Sequence, residues 1–232
     1  MTCSSSFNAT SDYAQVTDAS VIQNPFAGGG TFGAWVYVYY NPSAPYRFID
    51  KTGGTTGTPS SGWMIYQQVG IPSKLRIYVA YTSGSGYGIW QCDTAFTDNT
   101  WTYISVTYDS DSSSNNPVFY FNGSAPGTTA ITSPSGSYIS DSGNDIFLGG
   151  NHNGDRGFYG RICHWQLWNK VLTADEIVES MHKPGTVRDS LVGYWPGMGQ
   201  DSPIRDLSGN GNTATINSVV GSTSGPDITM VR

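Results

Sequence analysis

Residues 157–181, GFYGRICHWQLWNKVLTADEIVESM, constrain the fold more than any other part of this chain. Phe158, Ile162, Trp165 and Leu167 are the apolar positions of a run rich in strand formers. Directly after it, Leu172-Thr173-Ala174-Asp175-Glu176-Ile177 reads as a helix start. The Thr173 hydroxyl is spaced to accept from the amide of Glu176, and the Glu176 carboxylate to accept from the amide of Thr173. Leu172 and Ile177 stand where a hydrophobic staple closes such a turn. Asp175 and Glu176 fall at the positive end of the helix dipole, and Pro184-Gly185 stops the helix by about His182. The spacing predicts one short helix, from Thr173 to Met181, set back to back with a strand.

Almost everything else reads as strand. Residues 32–39 alternate, with Phe32, Ala34, Val36 and Val38 on one face. Further runs at 13–16, 47–51, 63–69, 74–81, 87–91, 101–108, 118–121, 146–150 and 191–195 stand at the spacing of a sandwich. Asn122-Gly123 is a type I′ turn signal, because both central residues of that turn need positive φ. Residues 127–143 are rich in Ser, Thr and Gly and read as loop with one short edge strand. The 232 residues carry no internal repeat and no linker long enough to split them, so they are expected to form one domain, with 186–232 as a C-terminal extension packing back on the sandwich.

Composition narrows the partners. Only 11 residues are basic, none of them clustered, and the formal charge is −6, which argues against a nucleic-acid groove. No apolar run approaches the length of a membrane span. The opening MTCSSSFNATSDY lacks a basic start and an apolar stretch, so it does not read as a secretory signal. The cysteines, Cys3, Cys92 and Cys163, have no metal-knuckle spacing. Small buried thiols are one reading of Cys92 and Cys163, and a bridge between them is the alternative.

The pattern F-x-G-x-I-x-x-x-x-L-W-N-x-x-L-T-x-x-E-I resembles the closing segment of LamG-like, concanavalin A-like jelly-roll domains. TFGAWVYV, TWTYISVTYD with VFYFNG, and IFLGG resemble earlier strands of that family, in the family's order. The resemblance implies an all-β, two-sheet antiparallel jelly-roll sandwich with one short helix. LVGYWPGMGQDSPIRDLSGNGNTAT resembles a segment that in many LamG-like proteins precedes the domain; here it comes last. In that arrangement it is similar to LamG-like proteins encoded by bacteriophages and their bacterial hosts.

Laminarinase-type glycosidases share this fold and need two carboxylates facing each other across the sugar. The only Glu residues here, Glu176 and Glu179, lie on the predicted helix, and no strand carries alternating carboxylates. No G-x-S-x-G elbow marks a serine nucleophile. No catalytic residue is therefore assigned. His152, with Asn151 and Asp155, is a candidate ligand contact, and a solvated loop is the competing reading. Tyr39, Tyr40 and Tyr46 near two prolines, and Tyr81 and Tyr87 flanking TSGSG, are candidate sugar-stacking rings. Asp206, Ser208 and Asn210 have the oxygen spacing of a calcium loop, but the twelfth position is Asn217 and no helices flank it. A tight turn, with Asp206 accepting backbone amides and Asn210-Gly211 at positive φ, competes with calcium as the only candidate cofactor.

These readings converge on a binding module without a reactive centre. The first expectation is a virion protein, a capsid decoration or tail-associated component. It would dock on other virion proteins or copies of itself and hold a host glycan, with no nucleic acid and no membrane insertion. The second is a bacterial carbohydrate-binding or adhesion module at the cell surface or outside the cell. A glycoside hydrolase ranks third, for want of the Glu pair.

Overall fold

The computed structural model describes residues 4–39, 46–54, 58–68, 70, 72–197, 203–222 and 225–226. In chain order the elements are β1 (Ser4–Phe7), β2 (Tyr13–Val16), a 3₁₀ turn (Ser20–Ile22), β3 (Gly30–Val38), β4 (Tyr46–Gly53), β5 (Ser61–Gln68), β6 (Lys74–Ser83), β7 (Tyr87–Ala95) and β8 (Trp101–Tyr108). Then come β9 (Val118–Phe121), β10 (Thr128–Thr132), β11 (Ser135–Tyr138), β12 (Ile146–Leu148), β13 (Gly160–Trp168), α1 (Ala174–His182), β14 (Leu191–Trp195), β15 (Thr215–Asn217) and β16 (Val220–Ser222). Two antiparallel sheets form a sandwich. One has seven strands, ordered β16-β1-β13-β3-β8-β9, with β14 also on β13. The other has nine, ordered β10-β7-β6-β5-β4-β12-β2-β15, with β11 also on β6.

The core lies between the sheets. Phe32, Ala34, Val36 and Val38 of β3 meet Trp63 and Ile65 of β5 and Leu75, Ile77 and Val79 of β6 in one buried cluster. The apolar positions of β13 break strict alternation, because Ile162 and Trp165 are three residues apart and yet both are fully buried in that cluster. A bulge opposite β3, between Cys163 and Gln166, absorbs the extra residue. His164 sits there with φ 57°. Without the bulge, one of the two halves of β13 would turn its side chains to the wrong face.

The bulge also divides one edge of β13 between two strands. β1 pairs with Gly160–Ile162, and β14 pairs with Trp165–Trp168. The segment after the helix thus completes a sheet that the first strand begins. β15 pairs with β2 and β16 with β1, so the C-terminal residues reach both sheets.

α1 has the expected capping box. Thr173 Oγ1 accepts from the Glu176 amide at 3.2 Å, and Glu176 Oε2 accepts from the Thr173 amide at 2.8 Å. Its apolar side lies on the outer face of the seven-stranded sheet, where Leu172, Ile177 and Met181 pack with Tyr103, Trp168 and Leu191. Trp35 Nε1 donates to the Met181 carbonyl at 3.0 Å and fastens the end of the helix to β3.

Asn122 and Gly123 take φ of 49° and 79°, and Phe121 and Ser124 exchange backbone hydrogen bonds across them. The hairpin goes no further, because the chain leaves for the other sheet as β10. Residues 127–143 hold two strands, β10 and β11, rather than one. Their polar residues are mostly exposed and carry no burial pattern, and pairing with β7 and β6 is what makes them extended. Cys92 and Cys163 are both buried and are not bridged to each other. Burial pushes the Cys92 thiol up to about 11, so it behaves as a small apolar side chain.

Candidate functional site

β4 carries the side chains that matter most, and a second bulge decides which way they point. The register against β5 shifts between Arg47 and Ile49. Phe48 and Ile49, adjacent in sequence, both enter the core. Arg47, Asp50 and Thr52 therefore share the outer face of the nine-stranded sheet, while Lys51 points inward and is fully buried. Trp165 Nε1 crosses the sandwich to donate to the Phe48 carbonyl at 3.1 Å, tying the β4 bulge to β13.

The inward cation is saturated. Lys51 Nζ donates to Asp18 Oδ1 at 2.6 Å and to the carbonyl of Asn144, and lies 3.7 Å from Asp141 Oδ1. Asp141 also accepts from Trp63 Nε1 at 2.7 Å, Tyr138 OH at 3.0 Å and the Asn24 amide at 2.8 Å. The two carboxyls respond differently. Burial raises the Asp141 pKa, and its more distant Lys51 and its hydrogen bonds do not reverse that. Burial works on Asp18 as well, but hydrogen bonds from Lys51, Gln23 and the Gly143 amide hold it below the ordinary carboxylate value. This network locks the loop at 18–24 to the loop at 139–145.

The outward cation is not saturated. Arg47 Nε donates to Asp50 Oδ2 at 3.2 Å, and its guanidinium lies 4.9 Å from the centre of the Tyr66 ring. Its Nη1 is buried without a hydrogen-bond partner. Asp50 is already engaged on both oxygens, since Oδ2 takes Arg47 Nε and Oδ1 takes the Thr52 amide at 2.8 Å and the Thr52 hydroxyl at 2.6 Å. Facing Arg47 is the loop after β12. Asn151 and Asp155 close it through Asn151 Nδ2 to Asp155 Oδ1 at 2.9 Å and the Asp155 amide to Asn151 Oδ1 at 3.2 Å. The Arg47 amide donates to the Arg156 carbonyl at 3.2 Å, which holds the loop beside β4.

Between them lies a cleft of about 190 Å³, walled by Arg47, Asp50, Thr52, Asn151, His152, Asp155 and Arg156. A second hollow of about 250 Å³ adjoins it and shares Thr52, Gly54 and His152. The His152 ring packs 6.2 Å from Phe147 at this junction, and both of its ring nitrogens are buried without a partner. Two polar side chains with unmet hydrogen-bonding capacity thus border one cleft. Buried polar groups are almost always satisfied by protein, water or a ligand, so this pair gives the cleft two polar groups able to bond a polar ligand.

The expected site residues separate. Asn151, His152 and Asp155 come together in the cleft. Tyr46 and Tyr81 do not reach a surface site; they are core residues, 2% and 1% exposed, and Tyr81 OH is bonded to Tyr108 OH at 2.7 Å. Tyr40 lies outside the described residues. Tyr87 stacks on Tyr78 at 5.2 Å on the outer face of the nine-stranded sheet, and Tyr78 OH reaches the carbonyl of Pro59 at the cleft wall. Tyr39 is on the other sheet, edge-on to Tyr37 and Tyr159, with Arg161 over Tyr37 and Tyr39. Arg47, Asp50, Thr52 and Arg156 are cleft residues that sequence reading missed. The adjacent apolar pair Phe48-Ile49 was the one available sign of a bulge that brings Arg47 and Asp50 to one face.

The calcium candidates do not fit a metal. Asp206 Oδ1 accepts from the amides of Tyr194 and Ser208, and Oδ2 from the Asn212 amide and the Ser208 hydroxyl. Asn210 turns its amide nitrogen to the Leu191 and Val192 carbonyls. The loop is a tight turn that fastens the C-terminal segment to β14. Its positive φ angles fall on Gly209 and Gly211 rather than on Asn210. Among the described residues no group of His, Cys, Asp and Glu is arranged to hold a metal ion. Both Glu residues are engaged on α1, Glu176 with Lys170 and Thr173, and Glu179 with Thr186.

The fold is shared with several solved structures. A candidate carbohydrate-binding protein from Bacteroides ovatus superposes with a TM-score of 0.65 at 16% identity over 96% of this chain, which spans 60% of that protein's length. A heptameric pentraxin from Limulus polyphemus gives 0.63 at 12% identity over 99% of this chain and 98% of its own. The CBM40 domain of a Ruminococcus gnavus sialidase, solved with α2,3-sialyllactose, gives 0.53 at 16% identity over 75% of this chain and 95% of its own. No curated protein matches the sequence significantly. Residues 8–178 match the laminin G-type family model, and with its sandwich of two antiparallel sheets the chain belongs to the concanavalin A-like lectin/glucanase superfamily.

Proposed function

We propose that this protein is a non-catalytic carbohydrate-binding module whose ligand occupies the cleft between β4 and the 151–156 loop. The observation that carries the reading is the pairing of Arg47 Nη1 with both His152 ring nitrogens, all buried and unpartnered at one cleft. Asn151, Asp155 and Thr52 add the donors and acceptors that orient sugar hydroxyls. The carbohydrate-binding folds among the structural neighbours support it. The carboxylates of the cleft support binding without cleavage, since Asp50 accepts from Arg47 and Thr52 and Asp155 Oδ1 accepts from Asn151. A glycan array with the purified chain tests this. Binding that His152→Ala abolishes, with no sugar released on long incubation, is expected. Undiminished binding by that variant, or turnover, contradicts it.

The C-terminal segment favours a further placement. Its resemblance to LamG-like proteins of phages and their hosts supports a module carried on a virion, docked on virion proteins and presenting the cleft to host glycans. Mass spectrometry of purified particles tests that placement: particle-bound copies are expected, and absence from washed virions contradicts it.

A further inference from the structure

We propose that the group recognised in this cleft is an acid on the glycan, a carboxylate or a sulfate ester, held by Arg47 and His152; the inference rests on the glycan reading. Arg47 is fixed before any ligand arrives. Asp50 holds Nε, the Tyr66 ring lies under the guanidinium, and the backbone is tied to Arg156. Nη1 is left over. A guanidinium carries donors and no acceptors, so its missing partner must be an acceptor.

The nearby carboxylates are not that partner. Asp50 takes three donors, from Arg47 and Thr52, and Asp155 accepts from Asn151 through Oδ1; neither accepts from Nη1. Sugar hydroxyls can accept from Arg47, but an anionic oxygen makes a shorter and stronger charge-assisted bond. His152 stands at the same cleft with a ring N–H to give to the same group.

The sheet extends the pattern. Arg47, Tyr66, Arg76 and Gln91 are in register across β4, β5, β6 and β7. Arg76 donates to Gln91 Oε1 at 2.9 Å and Gln68 Oε1 at 3.1 Å, both neutral amides. Its charge stands two strands from Arg47, roughly 10 Å away along the sheet. Burial pushes the Tyr66 phenol up against the pull of Arg76 and Arg47, so it stays a neutral ring between two cations. The chain as a whole is negative, at −6, so recognition is local and does not depend on a long-range field that attracts polyanions.

The test is an array of sialylated, uronate-containing and sulfated glycans, each beside its neutral counterpart, with methyl esters of the carboxylated members. The whole 232-residue chain is used, and hits are titrated by calorimetry. The acidic member of a pair is expected to bind at least roughly tenfold more tightly than its ester or neutral counterpart, and Arg47→Met to lose roughly tenfold to hundredfold for that member alone. Arg47→Lys, which keeps the charge and loses the fork, is expected to fall between, and guards against misfolding of the Met variant. Carboxylate and sulfate arms separate the two sources of the acid. Equal binding of acid and ester leaves the glycan reading standing and overturns this inference. Acid binding untouched by either Arg47 variant overturns it as well. Failure to bind any glycan removes the glycan reading and the inference together.

Discussion

Two cations four residues apart on β4 meet opposite fates. Lys51 enters the sandwich and finds Asp18, Asp141 and a backbone carbonyl. Arg47 leaves by the other face, finds Asp50, and keeps a buried nitrogen unpaired. The bulge at Phe48-Ile49 sets this division. A buried charge whose partners are all internal belongs to the architecture. A nearly buried charge with one donor left over, at a cleft, belongs to a site. The contrast reads function from saturation rather than from residue type.

The comparison can be broken from its architectural side first. Lys51→Met leaves Asp18 and Asp141 buried without their counter-charge and is expected to cost about 3–5 kcal/mol of unfolding free energy, measured by urea denaturation. A cost below about 1 kcal/mol would mean that the network is not structural.

His164 gives the next largest effect. It sits at the β13 bulge, Nδ1 2.9 Å from Tyr194 OH, and burial lowers its pKa from 6.5 to about 4. The unfolded chain therefore takes up a proton that the folded chain refuses. The stability this gives is complete above about pH 6.5 and is lost as pH falls toward 4, by up to about 3 kcal/mol. His164→Asn tolerates the positive φ and does not titrate. Its stability is expected to fall less than that of the wild type between pH 7 and 4 in parallel urea titrations.

Smaller effects sharpen the picture. Thr173→Ala removes one half of the capping box and is expected to cost about 1 kcal/mol, seen as a lower urea midpoint. Chelation is expected to leave the melting temperature unmoved, because Asp206 already spends both oxygens on protein donors. A downward shift with EDTA would put a metal in this fold.

The sequence made the sandwich and the helix legible, because periodicity and capping are local. Alternation in 32–39 and the Thr173/Glu176 pair needed no tertiary information. What was hidden depends on bulges. A one-residue bulge reverses which side chains share a face, so Arg47 and Asp50, three apart, could not be placed together from spacing. Tyr46 and Tyr81 were misplaced for a related reason. Tyrosine suits both a core with a bonded hydroxyl and an exposed platform, and only the packing tells which. Asn151, His152 and Asp155 could be found because a polar loop holding His and two amide or carboxylate neighbours is visible as a string. Its partner strand was not.

One paired measurement tests the division of β4 most directly: unfolding free energy and glycan affinity for Arg47→Met and Lys51→Met side by side. The expected result is a crossed pattern. Arg47→Met loses glycan affinity and less stability than Lys51→Met, because Asp50 keeps its two Thr52 donors, while Lys51→Met loses more stability and, where still folded, keeps the wild-type Kd. Loss of stability without loss of binding in Arg47→Met would contradict the account.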